Sequence, residues 1–239
     1  MFRGVLFYSG KHKRNCIVWQ RSLQRASFKV LTVPISLAAA LVRLFAYRSI
    51  IDDLNNCISV VHELRSKYPV EISDSLLHTL IIAEDHRSSL HYGIDPFAII
   101  RALKVRVTVG RTQGASTIEQ QLVRTVTRRY EKTPRRKIRE QILAVMLSSE
   151  FEKKEIASAY LKIAYYGSNL SGGLGIRTIM ASGVDNYDAV IVAYLKYPKS
   201  LLFIEPNMRH SNRVAHIRAL VNGDVDLLWL DQGRLLKGA

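Results

Sequence analysis

The sequence predicts a mainly α-helical protein, and three observations carry that reading. Two segments open with a side-chain cap followed by proline at the first helical position, Asp95-Pro96 and Thr133-Pro134; this arrangement satisfies a free N–H and pre-sets φ at a helix start. Apolar residues recur at helical spacings of three and four through most of the chain after residue 50. Alternating apolar and polar runs, the mark of strands, are scarce, and there is no internal repeat.

The chain opens with seven Lys/Arg and no acid over residues 1–29, then runs apolar from Val30 through Val42, meets Arg43, and continues to Tyr47 before Arg48. Residues 30–48 are expected to form a membrane anchor, because 18 residues with a single charge approach the roughly 20 a spanning helix needs and a terminal Arg can snorkel. The flanking charge would keep residues 1–29 as a basic cytoplasmic tail and place everything after residue 50 outside. A cleaved signal peptide, an interfacial helix and an organellar transit segment stay open as alternatives. Arg43 and Arg48, standing where a small-residue cleavage site would be expected, favour the uncleaved anchor.

Downstream, Leu77, Leu80 and Ile81 follow Ser73-Asp74 at helical spacing, and Tyr92-Gly93 ends that segment. Asp95-Pro96 then opens a helix with Phe97, Ile100 and Leu103 on one side, and Gly110 to Gly114 reads as a polar loop. Ser116 with Glu119 three residues on is a capping-box signature for a helix to about Arg129. Thr133-Pro134 starts a helix carrying Ile138, Ile142 and Val145, and further helical patterns cover 153–166, 187–197 (stopped by Pro198) and 211–221. Gly172-Gly173 and Gly175 lack the preceding strand and following Lys-Ser/Thr of a phosphate loop and read as a flexible turn.

Composition bounds the function. With 239 residues there is room for one ordinary domain and an appendage, and 48% hydrophobic content supplies a core. Two cysteines, Cys16 and Cys57, make no disulfide framework, and no Cys/His cluster has zinc spacing. The net charge of +15 sits in two blocks: +7 over residues 1–29 and +10 over 101–139. Basic blocks meet phosphate or anionic membrane, and two of them suggest two partners.

Two carboxylates stand on apolar faces. Glu84 follows Leu77, Leu80 and Ile81 by seven, four and three residues, and Glu140 precedes Leu143, Ala144 and Leu147 by three, four and seven. Desolvation there would raise the pKa toward the range of a general base or acid. On spacing alone, an edge-of-stripe surface glutamate with a helical salt bridge is the commoner outcome. The segment between them shifts that balance: Gln120, Gln121, Arg124 and Arg128 can lie along one side of a helix whose other side carries Ile118, Leu122 and Val126. Cations and amide donors beside a helix N-terminus make a reasonable diphosphate site. A nucleic-acid surface is the rival reading, weakened by the single interleaved aromatic, Tyr130.

These residues also resemble a known family. Glu84-Asp85-His86-Arg87-Ser88-Ser89-Leu90-His91-Tyr92-Gly93-Ile94-Asp95 resembles E-D-x-x-F-x-x-H-x-G-x-D, the first motif of the peptidoglycan glycosyltransferases of glycosyltransferase family 51. Gly114 to Leu122 resembles G-x-S-T-I-T-Q-Q-L, Arg136-Lys137-Ile138-Arg139-Glu140 resembles R-K-x-x-E, and Lys154-Glu155-Ile156 through Tyr160-Leu161 to Tyr165-Tyr166-Gly167 resembles the fourth motif, K-x-E-I-L-x-x-Y-L-N-x-x-Y-F-G. The resemblance implies a lysozyme-like glycosyltransferase domain over residues 60–222, with the N-terminal anchor before it and a C-terminal tail, 223–239, after it.

It further implies an enzyme on the extracytoplasmic side of a bacterial inner membrane, single-pass, polymerising the lipid-linked disaccharide-peptide precursor (lipid II) onto a growing glycan chain. A single inversion at the sugar needs one base and a stabilised leaving group, not a nucleophilic side chain. By motif position Glu84 would be the base. Glu140 would sit near the diphosphate, ordering cations or a divalent metal such as Mg2+, although no cofactor is strictly required. Arg124, Arg136 and Lys137, with Lys132 as a further member, would neutralise the departing diphosphate, and Asp85, Ser116, Thr117, Gln120 and Gln121 would contact substrate. Other cell-wall synthesis proteins are expected partners and nucleic acid is not. His91 reads as a hydrogen-bonding packer. The chain stops too soon after its last helical pattern for a transpeptidase module, so the expected activity is monofunctional.

Four positions depart from the motifs: Ser88 for Phe, Glu119 for Thr, Ser148 for a Glu after the third motif, and Lys162 for Asn. Glu119 would either cap the helix at Ser116, the favoured placement, or project a repelling charge into the diphosphate site. The departures keep open a non-catalytic member that binds precursor or wall-synthesis partners. A glycan-cleaving enzyme fits less well, having no need of a cationic diphosphate site.

Overall fold

The structure, a computed structural model, describes residues 9–67, 71–200 and 208–224. The first eight residues of the expected basic tail, and the expected C-terminal tail from residue 225, lie outside the described residues. Among them the architecture is mainly α, as expected: α1 (Ser9–Leu44), α2 (Arg48–Lys67), α3 (Asp74–Asp85), α4 (Pro96–Val109), α5 (Ile118–Thr127), α6 (Pro134–Glu150), α7 (Lys153–Ile163), α8 (Gly172–Ala181), α9 (Tyr187–Lys196) and α10 (Met208–Asn222). A short 3-10 turn, Ser88–Leu90, follows α3, and two strands, β1 (Tyr165–Gly167) and β2 (Leu170–Ser171), form an antiparallel hairpin after α7.

Local chemistry explains the helix starts. Ser73 accepts from the Leu76 amide at 3.2 Å, Asp95 from Ala98 at 2.9 Å and Thr133 from Arg136 at 3.2 Å, and prolines occupy the first position of α4 and α6. α5 starts one residue later than the capping-box spacing implied: Thr117, not Ser116, is its cap, accepting from Gln120 at 3.4 Å. Both residues carry hydroxyls, and the one whose backbone is extended next to the first helical turn takes the role.

The core joins α2, α5, α6 and α7 through Leu54, Val61, Leu122, Leu143, Leu147 and Leu161, all buried. α2 extends the structured domain back to Arg48, ahead of the expected boundary near residue 60. Its buried Ile50, Leu54, Cys57, Val61 and Leu64 alternate spacings of four and three, a stripe as regular as any in the chain. Two further expectations change. The pattern over 153–166 splits into α7 and β1, and the glycines at 172, 173 and 175 open α8 where a flexible turn was expected. Gly175 lies so close to Leu170 that a Cβ would come within 2.9 Å of its carbonyl carbon.

α1 runs without interruption past Pro34, and its segment Ser22–Leu44 is long and apolar enough to cross a membrane. The helix lies along α6 and α4. Phe28 is buried and meets the Phe97 ring at 4.8 Å between centroids, and Arg43 pairs with Glu150 at 2.6 Å. Val30, Val33, Leu37, Leu41 and Leu44 remain exposed on α1, as do Ile100, Leu103 and Val107 on α4.

Gly93 makes a tight junction with α6. Its φ is +81° and a Cβ there would lie 2.4 Å from the Ala144 carbonyl oxygen of α6, so both backbone conformation and space exclude a side chain. Gly93→Ala should lower unfolding free energy by about 2–5 kcal/mol, read from chemical denaturation.

Candidate active site

Glu84 ends the apolar stripe of α3 and turns into a cleft of about 750 Å3, lined also by Arg101, Ser116, Gln121, Arg124, Tyr160, Lys196 and Arg213. Among the described lining residues Glu84 is the one carboxylate. Its side chain is 17% exposed, accepts from Arg213 at 2.7 Å through Oε1, and receives the Gln121 amide at 3.4 Å on Oε2. Arg213 also donates to the Ala83 carbonyl at 3.0 Å. The sequence reading gave Arg213 no role in the site, although it precedes Ile217 and Leu220 by four and seven residues and so shares their buried face, the signal that singled out Glu84.

The cationic wall is assembled around Glu140. That carboxylate is 3% exposed and accepts from Arg124 at 3.2 and 3.1 Å, from Lys137 at 2.7 Å, and from Arg136. Burial pushes its pKa up, but the bonds and charge of Arg124 and Lys137 outweigh burial and hold it below the usual carboxylate range. Burial likewise lowers the Lys137 pKa against the opposing pull of Glu140. Ser116 Oγ accepts from Lys137 at 2.9 Å and from Arg124 at 3.1 Å, which links the wall to the cleft. Glu140 itself does not line the cleft. Both its oxygens are taken by three cations, an arrangement consistent with the expectation that it orders the cationic residues.

The remaining expected site residues divide by direction. Ser116, Gln121 and Arg124 face the cleft. Asp85, Thr117 and Gln120, for which substrate contact was expected, are 5%, 1% and 0% exposed and lie outside the cleft lining. Asp85 lies 2.8 Å from His91 Nε2 and accepts from the Ile118 amide at 3.3 Å, while Thr117 and Gln120 both donate to the Gly93 carbonyl, at 2.7 and 3.4 Å. His91 is a buried packer, as expected. Lys137 touches the cleft lining at Ser116, Arg136 is linked to it through Glu140 and Arg124, and Lys132 sits exposed between α5 and α6, outside the lining. Glu119 follows neither expected course: it is 1% exposed, away from Ser116 and from the cleft, and pairs with Lys153 of α7.

Comparison with known proteins places this arrangement in a family. The transglycosylase family model matches residues 56–179, just over half of the chain, and the protein belongs to that family, whose domain is lysozyme-like. Within it, the chain is similar to penicillin-binding protein 1A of Aquifex aeolicus, 40% identical over 103 residues, covering 43% of this chain and 14% of that protein. It is similar to penicillin-binding protein 1A of Escherichia coli, 36% identical over 136 residues (54% and 16%), and to penicillin-binding protein 1B of Vibrio cholerae, 32% identical over 168 residues (66% and 20%). The chain thus spans a fifth or less of the length of these relatives.

Acid should expose the role of Glu140. Its folded pKa is depressed, so its stabilisation is complete above the unfolded value of about 4.3 and is lost as pH falls through the lower folded value. Melting temperature should fall on acidification below about pH 4.3, and Glu140→Gln should both lower it at neutral pH, by about 3–5 kcal/mol of lost pairing, and flatten the acid decline.

Proposed function

We propose that this protein is a peptidoglycan glycosyltransferase that extends glycan strands from lipid II at the outer face of the membrane, with Glu84 as general base. The observation that carries the reading is the position of Glu84 as the one carboxylate among the described lining residues of a cleft that Arg124, backed by a braced cationic cluster, also lines. A glycan chain held by its polyprenyl diphosphate would place the phosphates against Ser116, just ahead of α5, and Arg124, about one turn along α5 from Gln121, which bonds to the base. Glu84 takes the proton of the acceptor hydroxyl, the oxygen attacks the anomeric carbon from the face opposite the diphosphate, the carbon–oxygen bond to diphosphate breaks, and configuration inverts. Arg124, braced by Glu140, meets the charge that develops on the departing group.

A divalent cation does not fit the donor set at Glu140. Mg2+ and its relatives take several oxygen ligands, whereas both oxygens of this carboxylate already receive cations in a buried position. Charge neutralisation therefore falls to Arg124 and the residues behind it. The acceptor and the lipid chains would approach along α4, whose exposed Ile100, Leu103 and Val107 lie beside the exposed apolar side of α1 and suit a domain seated on lipid. The basic charge of residues 1–29 supports a cytoplasmic N-terminus.

Two experiments test these statements. Detergent-solubilised protein given labelled lipid II should form polymer, and Glu84→Gln should cut the rate a hundredfold or more in a variant that stays folded, with a melting temperature lowered by loss of the Arg213 pair; polymerisation at the parental rate would refute the assignment. Reporter fusions at residue 1 and at Ala239 should read cytoplasmic and extracytoplasmic, and the opposite pattern would overturn the topology.

A further inference from the structure

Away from the cleft, Asp85, His91 and Glu119 bring their donor atoms within 4.8 Å of one another, all buried. A metal is unnecessary there, because the ammonium of Lys153 already occupies the cation's place. It pairs with Glu119 Oε1 and lies 3.4 Å from His91 Nδ1. An ammonium only donates, so Nδ1 accepts from it and the Nε2–H is directed at Asp85 Oδ1, 2.8 Å away. Burial raises the Glu119 pKa, but the charge and hydrogen bond of Lys153 outweigh it and hold the carboxylate below its usual range.

A third helix touches the same atom. Ser148 of α6 donates to Glu119 Oε1 at 3.4 Å, so Ser148 and Lys153 converge on one carboxylate oxygen. Ser148 and Glu119 are also two of the four departures from the family motifs, and they are complementary: the motifs carry Thr where this chain has Glu119, and Glu where it has Ser148. The Oγ of Ser148 stands where the γ-carbon of a glutamate would, and the carboxylate of that glutamate would extend toward the space Glu119 Oε1 now fills.

We propose that Glu119 and Ser148 are the two halves of one exchange, in which the carboxylate neutralising Lys153 has moved from α6 to α5, and that the Lys153–Glu119 pair is a positioning element for the cleft. Lys153 of α7, Glu119 of α5, His91 and Asp85 form a continuous chain of contacts, half-buried at Lys153 and buried from Glu119 onward, that ends beside Glu84, and Asp85 in turn holds the first amide of α5 at 3.3 Å. The pair fixes the start of α5, and with it Gln121 and Arg124, against the base. The positioning half of this proposal rests on the transferase reading above; the exchange itself does not.

The test compares the parent with Glu119→Thr, Ser148→Glu and the double variant, reading melting temperature and, at a temperature where all are folded, kcat and KM for polymerisation of lipid II. Glu119→Thr leaves Lys153 without a carboxylate and should lower the melting temperature by about 4–10 °C and kcat by about tenfold or more. Ser148→Glu sets a second carboxylate beside Glu119 and should also destabilise. The double variant should return to within about 2 °C of the parent and recover most of kcat, a non-additivity that distant or independent sites do not show. Additive losses in the double variant would overturn the exchange. Recovered melting temperature without recovered kcat would overturn the positioning role alone. If the parent forms no polymer while the double variant recovers its melting temperature, the transferase reading and the positioning role fall together and the exchange stands.

Discussion

The Glu140 carboxylate is the constraint on which the cleft depends. Arg124, Arg136 and Lys137 could not be packed together in a half-buried wall without an anion among them, because like charges at hydrogen-bonding range repel strongly where water is scarce. Placed at 3% exposure, Glu140 makes that wall affordable and leaves three cations against one carboxylate, a surplus directed at the cleft through Arg124 and the bonds to Ser116. Since Arg124 belongs to α5 and the other two cations to α6, the same anion also fixes how these two helices meet above Leu122 and Leu143.

A second set of bonds aligns Glu84 with that wall. In each of the first two motifs neighbouring residues divide the labour: Glu84 faces the cleft and Asp85 the interior, Ser116 the cleft and Thr117 the interior, Gln121 the cleft and Gln120 the interior. Successive residues on a helix point about 100° apart, so a doublet can supply one functional group and one brace. The inward members converge on a small space where the Gly93 carbonyl receives both Thr117 and Gln120, and the Ile118 amide reaches Asp85. On its other side Gly93 meets the Ala144 carbonyl of α6, which with its φ of +81° excludes a side chain, and the order of the motif residues in the chain does not tell which face the cleft and which the interior.

What was legible in the sequence is what short-range chemistry decides. The caps Ser73, Asp95 and Thr133 and the prolines after two of them marked the starts of α3, α4 and α6, and the stripes carrying Glu84 and Glu140 were visible as carboxylates on apolar faces. Long-range partners were not visible. Ser116 and Thr117 compete for one capping role, and a difference of one residue moved Glu119 from the expected cap to a pairing with Lys153, 34 residues along the chain. Arg213 reaches Glu84 across 129 residues, so periodicity could mark it as misplaced but not name its partner. α2 was missed although its apolar spacing is regular, since polar residues between the buried positions kept the segment from standing out.

Burial and partner count together explain why two similar carboxylates differ in use. Glu140, with three cationic partners and almost no exposure, is held ionised and inaccessible, while Glu84 has one cationic partner and an open approach, so a substrate hydroxyl can compete for it. The same criteria bear on the four motif departures. None of Ser88, Glu119, Ser148 and Lys162 lines the cleft: Ser88 and Glu119 are buried behind it, Ser148 turns to Glu119, and Lys162 donates to the Leu64 carbonyl on another face at 3.1 Å. A charge of the wrong sign at position 119 would have disabled a diphosphate site only by facing it. Paired with Lys153 and turned from the cleft, Glu119 leaves the cationic wall unopposed.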